Sequence, residues 1–229
     1  MLSAPELQIV GLSLKVAGCA VAASLPLGVA ISWLLSRVCF PGRSLLAGAV
    51  HLPLVLPPVV TGYGLLVIFG RKGPIGEILE PLGIVFAFDW TGAVLASAIM
   101  GFPLMVRSMK LAFDLGDPRL EQAATTLGAR PLATFATVSL PLALPGVAAG
   151  AVLAFAKAFG EFGATITFVS NIPGETQTLP LAIYGLTQVP GGEGEALRLI
   201  VIAATVSITA LVISEIMVRR ATASIQRHA

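Results

Sequence analysis

Residues 16–36 are 21 consecutive positions without a charged side chain, bounded by Lys15 and Arg37. Coiled as one helix, a run of that length reaches about 32 Å, enough to cross the hydrocarbon of a bilayer. A backbone placed there must satisfy its own N–H and C=O groups, which leaves a helix or a closed barrel. The apolar residues are continuous rather than alternating, so the helix is the form that fits. Composition bears on whether this run stands alone. Only 11% of the 229 residues are charged and 56% are hydrophobic, against roughly 25% charged in a soluble domain. The chain reads as an all-α integral membrane protein, with mean hydropathy +0.92.

Further runs follow the first, which Pro26 is expected to kink. Residues 44–70 carry no acid, lysine or arginine, but hold His51, Pro53, Pro57 and Pro58. Prolines that dense forbid one regular helix. A broken helix at membrane depth is tolerated where protein covers it or a cavity wets it. The break at residues 52–63 therefore has two readings, a bend that serves packing or the lining of a pathway. A polar connector punctuated by Gly73-Pro74 leads to Trp90, an indole placed where a bilayer edge would favour it. A third span starts there, bent at Gly101 and Pro103 and ended by Arg107 and Lys110.

Residues 131–156 are uncharged; their first part is expected at the surface, with a fourth span from near Leu140 to Lys157 or beyond. Residues 179–186 are too short to cross and suit a short re-entrant or interfacial helix. Residues 199–218 form the last span, where Glu215 can pair with Arg219 one turn on. The expectation is five transmembrane helices, at about 14–36, 45–69, 90–112, 138–159 and 197–219, in one domain covering residues 1–229.

Basic residues orient the spans. With the N-terminus outside and the C-terminus inside, nine lie in the cytoplasm: Arg37, Arg43, Arg107, Lys110, Arg119, Arg130, Arg219, Arg220 and Arg227. Five lie at the outer side: Lys15, Arg71, Lys72, Lys157 and Arg198. That bias follows the positive-inside rule. The net charge of +2 says little beside it. Residues 1–10 hold Glu6 and no basic residue, so the first span lacks the start of a secretory signal and is expected to remain as an anchor. There is no convincing internal repeat, soluble domain or low-complexity stretch.

The polar exception is residues 117–129. Asp117 can cap a helix there, Pro118 suits its first position and Gly128 can end it. Ala123 and Ala124 leave room for a close approach, while Arg119 and Glu121 offer charge. Two readings stand: a plug for a socket on another protein, or a solvated helix that merely joins two spans.

Other chemistry is missing. No lysine lies in a Gly-x-x-x-x-Gly-Lys-Ser/Thr setting, so no P-loop is expected. Two histidines, His51 and His228, and no His-Glu-x-x-His give no basis for a metal site. His51 reads as a packed side chain. There is no Gly-x-Ser-x-Gly elbow for an intramembrane hydrolase. Cys19 and Cys39 are twenty residues apart, about 30 Å on one helix, beyond disulfide reach. No cofactor and no nucleic-acid partner is called for.

Glu121-Gln122-Ala123-Ala124 with Gly128, followed by Leu140-Pro141, resembles the "EAA" loop of permease subunits in bacterial ABC importers, with one extra Gln. The segments His51-Leu52-Pro53-Leu54-Val55-Leu56-Pro57-Pro58, Gly160-Glu161-Phe162-Gly163-Ala164-Thr165 and Asn171-Ile172-Pro173-Gly174-Glu175-Thr176 are similar to those of molybdate permease subunits. Sulfate permeases share much of this layout. The resemblance implies a type I ABC importer permease fold in the bacterial cytoplasmic membrane. It implies that residues 117–129 are a coupling helix on which Leu120, Glu121, Ala123, Ala124, Leu127 and Gly128 meet an ATP-binding subunit. Two ATPase copies, a second copy of this chain and a periplasmic substrate-binding protein would complete the assembly, set in membrane lipid. Molybdate, or tungstate, is the implied cargo.

Candidates for the pathway or its gate are Pro57, Pro58, Thr61, Glu161 and Thr165. Lys157 and Glu161 lie four apart and are expected to form an ion pair on one helical face; the alternative is a gate or docking contact. A dianion would be repelled by Glu161, so Thr165 and amides near Gly163 are the better transient contacts. A transporter working alone and an intramembrane enzyme are the competing classes. Five spans, no repeat and no acid relay at mid-span count against the first.

Overall fold

A computed structural model describes residues 3–226; Arg227 and His228 lie outside them. The described chain is nearly all helix, with no strand. Among the described residues four helices are long and apolar enough to cross a membrane, or five if one bent pair counts as a single span.

Helix α1 (Ala4–Arg37) starts ten residues before the expected span. Ser3 and Glu6 close a capping box, the Ser3 hydroxyl on the Glu6 amide and the Glu6 carboxylate on the Ser3 amide, which satisfies two donors of the first turn. The helix continues through Pro26 to Arg37. The proline-rich run divides into α2 (Arg43–Val55) and α3 (Pro58–Phe69), which meet at 112°. Leu56 and Pro57 form the corner, and Pro58 begins α3 where its missing N–H costs nothing. The connector holds a short helix α4 (Gly76–Leu79) and a 3₁₀ turn at Glu80–Leu82.

Helix α5 (Trp90–Leu115) is capped by Asp89, whose Oδ1 accepts the Thr91 amide at 2.8 Å. It runs beyond Arg107 and Lys110, expected to end the span, because Asp114 is held both by Lys110 and by the Ser36 hydroxyl at 2.6 Å. Then come α6 (Pro118–Thr126) and α7 (Pro131–Thr134). A π turn at Phe135–Ser139 joins α7 to α8 (Leu140–Phe159), so residues 131–159 are one helical run with a defect near its start. The last elements are α9 (Gly163–Val169), α10 (Leu179–Thr187) and α11 (Glu193–Gln226).

Helix α5 is the hub, with α1 and α8 packed along it and α11 behind α8. Lipid does not drive helices together, so close approach does. Gly101, Met105 and Ala112 on α5 face Ala154, Gly150 and Gly146 on α8. A Cβ at Gly146 would come 2.2 Å from the Ala112 Cβ. These pairs run in opposite senses, so α5 and α8 are antiparallel. Lys15 lies over the Trp90 ring at 3.4 Å, and Ser36 reaches Asp114, so α1 and α5 are parallel. Ser214 donates to the Ala149 carbonyl while Ile202 and Ala203 pack near Ala158, which makes α11 antiparallel to α8. The far ends of α1, α5 and α11 therefore share one end of the bundle. At the opposite end Arg198 pairs with the buried Glu6 at 2.9 Å, and the Leu179 amide donates to Ser13 Oγ at 2.7 Å.

Candidate functional site

At the shared end, α6 stands apart from the bundle: none of its residues is buried. Local sequence makes it. Asp117 Oδ1 accepts the Arg119 amide at 2.9 Å, and Pro118 opens the first turn. At the other end the Gly128 amide donates to the Thr125 carbonyl and the Ala129 amide to Ala124, with Gly128 at φ 87°, a glycine-closed helix end. Leu120 and Leu127 are exposed, Leu127 at 89%. Ala123 is exposed and Ala124 half-buried. The helix thus presents apolar and small side chains to its surroundings.

Glu121 does not join them. Its side chain is 21% exposed and turns inward, where Oε1 accepts Arg37 Nε at 3.0 Å and the Ser139 hydroxyl at 2.9 Å. Arg37 Nη2 also donates to the Gly116 carbonyl at 2.9 Å. Sequence reasoning missed Arg37 and Ser139, which lie 84 and 18 positions from Glu121. No spacing rule links positions so far apart.

The second group of candidates gathers at the α2–α3 corner. A Cβ at Gly163 would lie 2.6 Å from the Pro58 Cβ, and one at Gly62 would lie 2.4 Å from the Ala164 carbonyl oxygen. The two glycines let α3 and α9 touch, which brings the Pro57, Pro58 and Thr61 segment to the end of the bundle where Glu161 lies in the α8–α9 turn and Thr165 on α9. Pro57 and Pro58 are exposed. Val55, Val59, Val60 and Tyr63 form an exposed apolar face around them. The Thr61 hydroxyl is buried without a hydrogen-bond partner.

The Lys157–Glu161 ion pair is formed, with one correction to its setting. Glu161 lies past the end of α8, so the two do not share a helical face. Its other oxygen accepts the Ala164 amide at 3.0 Å at the start of α9, a bond that fixes the α8–α9 turn. Thr165 is fully buried and its hydroxyl donates to the Phe162 carbonyl at 2.9 Å. Neither that hydroxyl nor the Ala164 amide is presented to a passing anion here. His51 is half-buried on α2. The described residues hold no cluster of three or more His, Cys, Asp or Glu side chains fit for a metal. Cys19 and Cys39 are free and exposed. Glu215 pairs with Arg219 at 2.7 Å as expected.

Several apolar helices of spanning length, one bent pair and one projecting polar helix describe a multi-span membrane protein. The chain belongs to the family of binding-protein-dependent transport system inner membrane components, whose model matches residues 24–223. It is 58% identical over 220 residues to the molybdenum transport system permease protein ModB of Escherichia coli K12, covering 96% of each chain. It is 53% identical over 216 residues to ModB of Haemophilus influenzae, covering 94% of each. A probable sulfate transport system permease protein of Chlorokybus atmophyticus is 38% identical over 69% of this chain and 55% of its own length. Among solved structures, a bacterial ABC transporter that imports the polysaccharide alginate has the same fold, with TM-score 0.64 at 17% identity over 99% of this chain and 80% of that one.

Proposed function

We propose that this chain is the membrane-spanning permease subunit of an ATP-driven importer that moves molybdate, or tungstate, into the cell. The observation that carries the reading is the end-to-end likeness to the molybdenum permeases, 58% over 96% of both chains. The more distant and partial likeness to a sulfate permease favours that alternative less. The reading takes residues 1–229 as one transmembrane domain of five spans, with α2 and α3 together forming the second.

The parallel α1, α5 and α11 support an N-terminus outside and a C-terminus inside. Arg37, Lys110 and Arg119 then lie at the cytoplasmic end. In this reading α6 is the coupling helix. Leu120, Ala123, Ala124, Leu127 and Gly128 form the face that a separate ATP-binding subunit grips, and Glu121 sets the angle of that face from within. ATP hydrolysis belongs to that partner. Two copies of the chain, two ATPase subunits and a periplasmic binding protein make the working assembly. ATP binding draws the two coupling helices together, and rigid helices pass the movement on as an exchange of inward- and outward-open states.

The exposed corner at Pro57 and Pro58, with half-buried Thr61 beside it and its apolar face, suits the pathway between two copies. Glu161 and Thr165 support that corner from behind rather than touching the anion. The reading is tested with the assembled complex in nanodiscs. Its ATPase rate is measured with binding protein loaded in turn with molybdate, tungstate or sulfate. Stimulation by molybdate or tungstate but not sulfate is expected. Stimulation by sulfate alone would replace the cargo, and failure to co-purify any ATPase would remove the importer.

A further inference from the structure

We infer that Arg37 and Ser139 clamp Glu121 from two sides and so carry the movement of α6 into α1 and α8, with Arg37 as the positioning residue. The inference rests on the reading of α6 as the helix that meets the ATPase. Since α6 buries no residue, little apolar packing fixes its angle. The polar attachments described above do that work.

The Arg37 guanidinium spans the α5–α6 junction. Nε binds Glu121 on α6, and Nη2 binds the carbonyl of Gly116, which lies between the helices. A planar fork can hold both partners at once, whereas a lysine is a single point of charge. Gly116 makes space for it, since a Cβ there would meet Nη2 at 3.1 Å. On the other side Ser139 is the last residue of the π turn, the defect at which the 131–159 run departs from regular helix, and such turns are frequent at functional sites. A displacement of Glu121 therefore acts on the last residue of α1 and on the start of α8 together.

An exposed ion pair would transmit little. This one is mostly covered, with 16% and 21% of the two side chains exposed, and its bonds are charge-assisted. A separate contact, the Ser36 hydroxyl on an Asp114 carboxylate that Lys110 of the same helix also holds, ties the end of α1 to α5. Loss of Arg37 thus frees α6 without loosening α1 from the bundle.

The test uses the complete complex in nanodiscs and the ratio of ATPase rates with and without molybdate-loaded binding protein. Arg37→Ala is expected to keep wild-type co-purification of the ATPase and the wild-type unstimulated rate, while the ratio falls by about tenfold, within the usual range of coupling between sites. Arg37→Lys restores part of the ratio. Glu121→Gln lowers the ratio to a similar degree, and Arg37→Ala with Glu121→Gln is no worse than either alone, as two members of one link require. A wild-type ratio in Arg37→Ala, or additive losses in the double variant, overturns the clamp. Should Arg37→Ala fail to fold, the isosteric Glu121→Gln and the single-hydroxyl change Ser139→Ala decide, and wild-type ratios in both overturn it. A wild-type complex that the loaded binding protein does not stimulate would refute the reading of α6 itself, and the clamp with it.

Discussion

Gly62→Ala and Gly64→Ala, two positions apart on α3, separate close helix approach from helix propensity. In a helix interior alanine is favoured over glycine by about 1 kcal/mol. At Gly64 a Cβ meets nothing within 4 Å, so that gain should appear. At Gly62 the same atom would lie 2.0 Å from Thr167 Oγ1, 2.4 Å from the Ala164 carbonyl oxygen and 2.8 Å from Ala164 Cα. The threonine hydroxyl can rotate away, but the other two atoms are the backbone of α9. Forcing α3 from α9 falls at the upper end of overpacking costs, about 3 kcal/mol. Set against the propensity gain, Gly62→Ala should be about 2 kcal/mol less stable than wild type, and about 3 kcal/mol less stable than Gly64→Ala. For a chain of this size that difference corresponds to roughly 6–12 °C in apparent Tm. Trp33 and Trp90 give an intrinsic fluorescence signal for the melt. Apparent Tm values for the two variants within about 2 °C of each other would refute the close crossing, and with it the adjacency of the two halves of the α2–α3 corner.

Three further substitutions probe other parts of the molecule. Gly128→Asp places a side chain at φ 87° with open space around it, a strain of about 1–2 kcal/mol; the spans should remain folded while co-purification of the ATPase is lost, and normal co-purification would detach α6 from the coupling role. Lys157→Ala leaves Glu161, with 1% of its side chain exposed, without its counter-charge, and should cost about 3 kcal/mol in a melt; a change of anion preference at unchanged stability would instead make the pair part of the pathway. Ser13→Ala removes the acceptor of the buried Leu179 amide, a loss of about 1–3 kcal/mol; no shift in apparent Tm would mean that α10 is not held to α1 in this way.

Much of the fold was legible because its signals are local. Long stretches without charge mark α1, α5 and α8, a run broken only by Glu215 marks α11, and the density of Pro53, Pro57 and Pro58 announces the corner. Asp117, Pro118 and Gly128 delimit α6 within a residue or two. The early start of α1 was also written locally, in Ser3 and Glu6, but attention to charge-free length passes over a capping box. Lys157 and Glu161 were paired correctly by spacing and placed wrongly, since four residues describe one helical face only where the helix continues, and α8 stops at Phe159.

Contacts between distant segments were not legible, and they decide the sites. Thr165 resembles an anion contact in sequence because a hydroxyl beside glycines is free to donate; the fold buries it and the hydroxyl donates to the Phe162 carbonyl instead. Glu121 looks like a charge offered to a partner until Arg37 and Ser139 claim it. In a bilayer, apolar surface gains nothing by leaving lipid for protein, so small residues and satisfied polar groups fix the packing. Gly62 on α3, Gly101 on α5 and Gly150 on α8 each admit a specific opposing backbone, and which backbone each admits is a property of the assembled bundle. Helix α6 is the exception. It carries no buried residue and no glycine seam, so its position is set by a few polar bonds that can exchange more readily than a packed interface. If α6 is the coupling helix proposed above, such an attachment would let it move with a partner while the spans stay folded.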